Sequence, residues 1–263
     1  MRRIVGAMVV GLLLMGFTAP PARAGLDQRI AAADSYLAGR PGTVGYVVRD
    51  RITGRAYRND AAGTMIWTAS TIKLAMVVDL LTRATAGLIT LSPDDRQAMV
   101  DMLHSSDNDA ADMLWRKFGG PDNMAFNRDF AGYGMTSIAP QKGFGDTFPY
   151  WGFQKSTTDD LDRLMNYVLT RLPAAQTAAI VSEMQRPDVN QQWGVWGVGP
   201  QLAPGNKNGW SEEEGGWVVN TVGFAGQRQR YTLAIMNSLD GEGDFDAGRE
   251  TTTQLARILL ADG

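Results

Sequence analysis

Ser70-Thr71-Ile72-Lys73 places a hydroxyl and an amine three residues apart, at the head of the mostly apolar run 74–81. On a helix such residues are neighbours, with Cβ atoms about 5–6 Å apart. A serine is a weak nucleophile until a base takes its proton, and a lysine kept neutral by its surroundings is such a base. Taken alone, the tetrapeptide reads better as an exposed cap followed by a solvated lysine. Two further clusters bear on the choice. Ser106-Asp107-Asn108 follows Lys73 by 33 residues, in a polar segment ahead of a helical pattern. On its own it reads as an N-cap cluster, because these residue types favour caps and turns. Lys207-Asn208-Gly209-Trp210 opens a strand-like region, and by itself Asn208-Gly209 signals a turn.

The elements that must position these residues follow from periodicity. Ile30, Ala33 and Leu37 lie at helical spacing within 26–37. Residues 43–50 alternate like a strand and end in the hairpin signal Asp50-Arg51-Ile52-Thr53-Gly54, after which 55–58 returns. From Thr68 to about Pro187 the pattern is mostly helical, with helices predicted over 69–82, 92–103, 109–118, 122–130, 158–169 and 174–184. Thr68 is the expected N-cap of the first. Beyond Asn206 the strand period resumes: 217–224 and 231–237 alternate around Gly226-Gln227-Arg228, and 246–260 closes as a helix. The expected class is α/β (α+β). Both chain ends, 41–60 and 206–240, share one antiparallel sheet flanked by the terminal helices, and 68–190 forms a helical lobe. A cleft between sheet and lobe suits a small ligand.

Ser-x-x-Lys, then Ser-Asp-Asn, then Lys-x-Gly at a strand, in this order, resembles the serine penicillin-recognising enzymes: class A β-lactamases and penicillin-binding D-alanyl-D-alanine peptidases. The resemblance spans essentially all of 25–263, because the order of elements matches as well. Ser156-Thr157-Thr158-Asp159-Asp160-Leu161 also resembles the segment that opens a helix after the omega loop of class A enzymes. The resemblance implies a β-lactamase/transpeptidase-like fold and these roles. Ser70 becomes acylated, Lys73 takes or relays its proton, and Ser106 passes a proton to the leaving nitrogen. Asn108 binds the substrate side-chain amide. Lys207 binds the substrate carboxylate and polarises Ser106, and the N–H groups of Ser70 and Trp210 form the oxyanion hole. No cofactor and no metal is implied.

Two departures limit what the resemblance implies. The third motif usually has Thr or Ser between Lys and Gly, and here it is Asn208, whose amide is expected to donate to the carboxylate instead. Class A enzymes also carry an omega-loop Glu that activates the deacylating water. The tract 141–155 has no Glu, its only acid is Asp146, and it is rich in aromatics: Phe144, Phe148, Tyr150, Trp151 and Phe153. Those aromatics could shape a pocket wall, but are expected mainly to pack the loop. His104, the only histidine, is expected to be an ordinary residue near a helix end, since no Gly-x-Ser-x-Gly elbow accompanies it. Asp240-Gly241-Glu242-Gly243-Asp244 lacks calcium-loop spacing and reads as a loop with an N-cap. Trp193, Trp196, Trp210 and Trp217 read as wall or core, with Trp210 in reach of the cleft.

Arg2-Arg3, an apolar run to Phe17 and Ala22-Arg23-Ala24 read as an export signal over 1–24, too short for a comfortable membrane span of about 20 residues. Removing it takes three arginines and no acids, so 25 basic and 28 acidic residues become 22 and 28, a net charge of −6. That balance disfavours nucleic acid. Zero cysteines exclude disulfides, thiolate sites and a lipid on a cysteine. The expectation is a secreted or cell-envelope monomer: a serine hydrolase or acyl transferase acting on a β-lactam or D-alanyl-peptide-like amide, with slow deacylation. Two alternatives stand beside it, a working β-lactamase with a non-standard deacylation base and a catalytically decayed binding module.

Overall fold

The computed structural model describes residues 25–143 and 147–261. The signal-like stretch 1–24, Phe144 and Asp146 lie outside them. Helix α1 (Leu26–Leu37) leads into β1 (Thr43–Asp50), and β2 (Ala56–Arg58) returns beside it. The strands β6 (Gly205–Glu213), β7 (Gly216–Ala225) and β8 (Tyr231–Ser238) come from the other end of the chain. All five form one antiparallel sheet in the order β2-β1-β8-β7-β6, and the β1–β8 register from Thr43↔Ser238 to Asp50↔Tyr231 joins the two ends.

Side chains alternate across the sheet. On β8, Tyr231, Leu233 and Ile235 pack on α1 and the closing helix α8 (Phe245–Leu260), with Ile30, Leu255 and Leu259. Ala234 and Met236 face the opposite way, into the larger core. That core is helical: α2 (Ile72–Thr85), α3 (Pro93–His104), α4 (Asn108–Phe118), α5 (Ala125–Phe130), α6 (Thr158–Thr170) and α7 (Ala174–Met184). Leu74, Met76, Leu80, Trp115, Phe126 and Leu164 are fully buried there. The sheet is thus covered on one face by α1 and α8 and on the other by the helical core.

Helix starts follow local chemistry. Ser92 and Asp95 cap α3 reciprocally with Pro93 at its first position, Thr157 caps α6 and Asp244 caps α8. Thr68 does not cap α2. That helix begins at Ile72, after a 3₁₀ turn over Ala69–Thr71, and the Thr68 hydroxyl donates to Gln154 O at 3.1 Å. A small sheet runs in the order β3 (Ile66–Trp67), β5 (Gln154–Ser156), β4 (Ala139–Pro140); β4 and β5 lie within the stretch the sequence pattern reads as helical, and β3 just before it. Strands of two or three residues are too short for a period-2 signal. Among the described residues no helix is long and apolar enough to cross a membrane.

Candidate active site

Ser70 occupies the 3₁₀ turn that joins β3 to α2, and β6 is the edge strand pressed against that turn. A Cβ on Gly209 would lie 2.7 Å from Ser70 N and 2.6 Å from Thr71 N. Only a glycine lets the strand come this close. The turn is also tied to the sheet interior. Asn220 Nδ2 on β7 donates to Trp67 O at 2.8 Å and Thr68 O at 3.3 Å, while its Oδ1 accepts from Asn237 N. Ala69 and Ser106 both have left-handed backbone, φ 44° and 61°. Such geometry in a non-glycine residue costs about 1–3 kcal/mol and clusters at functional sites.

Lys73 lies in the first turn of α2 and is fully buried. Its Nζ donates to Ser106 O at 2.7 Å, Asn108 Oδ1 at 2.6 Å and Ser106 Oγ at 3.5 Å. The Trp151 ring centroid lies 4.4 Å from the same nitrogen. Burial pushes Lys73 down to about 7, opposed by the charges of Asp107 and Asp112. Lys207, on the face of β6 that also carries Gly209, donates to Ser106 Oγ at 2.8 Å and to Asn208 O at 2.7 Å. Its burial, and then the charge of Lys73, push it well below the ordinary lysine value. One serine hydroxyl therefore sits between two buried amines, each of which disfavours charge on the other.

Ser70, Lys73, Ser106, Asn108, Lys207 and Gly209 converge here, although they come from distant parts of the chain. Lys73 Nζ is turned toward Ser106 and Asn108, and no hydrogen bond joins it to Ser70 Oγ among the described residues; such contacts often tighten only when substrate is bound. Asn208 is not brought into the site. Side chains 206, 208 and 210 take the other face of β6. There Asn208 Nδ2 donates to Gln191 O at 2.8 Å and its Oδ1 accepts from Asn206 Nδ2 at 2.8 Å. The expected donor to a substrate carboxylate is thus committed to the loop at 191–193. The Trp210 indole packs with Trp193 and Phe245 on that same side, away from Lys207 and Gly209.

Asp107 caps α4 through Ala110 N at 2.7 Å, so the Ser-Asp-Asn triplet is a cap at its centre while its flanking residues contact Lys73. Sequence reasoning missed Asn220 and Asp112, and named Trp151 only among the loop aromatics, without its place against Lys73. Asn220 carried one signal, a polar side chain inside the apolar strand 217–224. Among the described residues no group of three or more His, Cys, Asp or Glu side chains could hold a metal ion.

No protein-family model matches the chain. The "Putative lipoprotein LppW" of Mycobacterium bovis and of Mycobacterium tuberculosis is 31% identical over 273 residues, covering 97% of this chain and 83% of each relative. Among solved structures, a β-lactamase from Xanthomonas campestris superposes with a TM-score of 0.72 at 18% identity, covering 89% of this chain and 97% of its own. A β-lactamase from Streptosporangium roseum gives 0.72 at 16% identity, with 89% and 98% covered. The class A β-lactamase of the last common ancestor of Gram-negative bacteria gives 0.72 at 18%, with 89% and 98% covered. The chain belongs to the family of the mycobacterial protein LppW, and it has the fold of the class A β-lactamases.

Proposed function

We propose that this protein is an exported serine hydrolase or acyl transferase that forms an acyl-enzyme at Ser70. Its substrate class is a small amide with a nearby carboxylate, such as a β-lactam or a D-alanyl-peptide-like amide. The observation that carries the reading is the Ser106 hydroxyl held by Lys207 at 2.8 Å and approached by Lys73 at 3.5 Å.

Lys73, neutral for much of the time near pH 7, takes the proton of Ser70 as Ser70 Oγ bonds to the substrate carbonyl carbon. Ser106 gives its proton to the amide nitrogen as the C–N bond breaks, and Lys73 returns a proton to Ser106 through the contact they already share. Asn208 O accepts from Lys207 Nζ, which turns that backbone unit toward the site, and strand alternation points the Trp210 N–H the same way. With the Ser70 N–H it makes an oxyanion hole, in which loss of one donor costs about 10²–10³-fold in rate. The substrate carboxylate pairs with Lys207 and draws the shared positive charge there. Lys73 is left as the free base when it is needed, and without a hydroxyl from position 208 the carboxylate relies on Lys207.

Release is slow in this reading. The tract 141–155 carries no Glu, and the two acids nearest Lys73 in charge are both occupied. Asp107 caps α4, and Asp112 accepts from Tyr150 and Trp151. Residues 1–24 serve as the export signal, and 25–263 as one catalytic domain in the cell envelope or outside the cell. The relatives' name speaks of a lipoprotein, but a lipid carried on a cysteine has no attachment point among these 263 residues.

Intact-protein mass spectrometry after incubation with a penicillin tests the reading. A single adduct on the wild-type protein and none on Ser70→Ala is the expected result. No labelling of Ser70 by several β-lactams and acyl-D-alanine analogues would overturn it. A chromogenic cephalosporin should give one stoichiometric burst, and rapid multiple turnover would establish a working β-lactamase instead.

A further inference from the structure

Resting on the acyl-enzyme reading, we propose that Trp151 is a positioning residue for Lys73: clamped by Asp112, its indole closes the flank of the Lys73 amine left open by Ser106 and Asn108 and keeps water off it. Three acceptors take the Lys73 hydrogens, and the Trp151 face is the fourth neighbour. The ring is itself held. Trp151 is 5% exposed, its Nε1 donates to Asp112 Oδ1 at 2.7 Å, and the Tyr150 hydroxyl donates to the same oxygen at 2.7 Å. Arg116 pairs with the other Asp112 oxygen, and Trp115 Nε1 donates to Pro149 O, fixing the segment just before the ring. Burial and the charge of Asp112 push the Tyr150 phenol up, so it remains a donor in this clamp.

A ring face attracts an ammonium, but a ring also displaces the water that solvates one. Burial is the leading cause of the lowered basicity of Lys73, and the Trp151 ring at 4.4 Å is part of the wall that buries it. The charged groups around Lys73 are Lys207 on β6, Asp107 before α4 and Asp112 on α4. Trp151 is thus the apolar wall on a flank that would otherwise admit water, and it sets how readily Lys73 gives up the charge that keeps it from acting on Ser70.

The test follows Lys73 directly, by ¹³Cε NMR titration of lysine-labelled protein, beside the pH profile of acylation by a fluorescent penicillin. In Trp151→Ala water reaches the amine, and both midpoints should rise by about one unit or more toward the ordinary lysine value. Trp151→Met should give a smaller rise, and so should Trp151→Phe, which keeps an aromatic face but loses the Nε1–H that Asp112 holds. Asp112→Asn keeps an acceptor for Trp151 and Tyr150 but removes a negative charge, so it should lower the midpoint. A midpoint unmoved in Trp151→Ala, or moved the same way in Trp151→Ala and Asp112→Asn, overturns the proposal. Should Trp151→Ala not fold, an unmoved midpoint in Trp151→Met does so. If the wild-type protein takes no penicillin label, the acyl-enzyme reading fails alone, and the NMR titration still decides the role of Trp151.

Discussion

Asn208 spends both ends of its amide on the protein itself. Its Nδ2 holds the carbonyls of Gln191 and Trp193, its Oδ1 takes a bond from Asn206, and the side chain is 1% exposed. A buried amide with both ends engaged stabilises the fold, and removing it leaves its neighbours short of partners. Asn208→Thr, which writes in the residue usual for related motifs, is therefore expected to lower stability by about 1–2 kcal/mol in urea unfolding, without speeding acylation. Unchanged stability together with faster acylation would show that the amide obstructs the site instead of supporting its wall.

The edge strand β6 and the Ser70 turn form one working element. Gly209 lets two backbones touch, Lys207 reaches Ser106 from the same strand face, and Asn220 on the next strand anchors the residues ahead of the turn. Interiors this tightly packed answer an added methyl with backbone displacement. In Gly209→Ala the new carbon would meet main-chain nitrogens at 2.6 and 2.7 Å, so strand and turn must separate. The expected cost is about 1–3 kcal/mol. Acylation should slow by about 10²-fold as the Ser70 and Trp210 N–H groups part. Stopped-flow acylation with a reporter penicillin measures this, and a wild-type rate would show that the two N–H groups do not act together.

The whole molecule is closed by the sheet and bolted to the helical core by ion pairs from its first two strands: Arg49 with Asp162 and Arg58 with Asp159, both acids on α6. Deep in that core Asp79 accepts from Tyr133 at 3.0 Å and pairs with Arg83 at 3.1 Å. Burial nevertheless pushes it up from 3.8 to about 7. A carboxyl raised by folding contributes stability that is present below about pH 4 and is lost as pH rises through about 7. Asp79→Asn removes this loss. Relative to wild type, the variant should gain about 2–4 kcal/mol of unfolding free energy between pH 4 and pH 8. A difference that stays constant across that range would mean that Asp79 is ionised throughout.

Local pattern was enough for most elements: 26–37, 43–50 and 174–184 fold as their periodicity predicts, because helical and strand spacing is a property of neighbouring residues. The three motifs in order were likewise legible, and Lys73, Ser106, Asn108 and Lys207 do meet. What the linear chain did not carry is orientation and burial. Which face of β6 Asn208 takes depends on where the strand is pressed. The partners of Lys73 include a ring 78 positions away, and the charge state of both lysines depends on how much water the folded chain removes. The sequence by itself determined the chemical groups and their order along the chain. The tertiary structure alone decided which of them face Ser70 and which are spent holding its walls, because hydrogen-bond partners and desolvation are set by segments far apart in sequence.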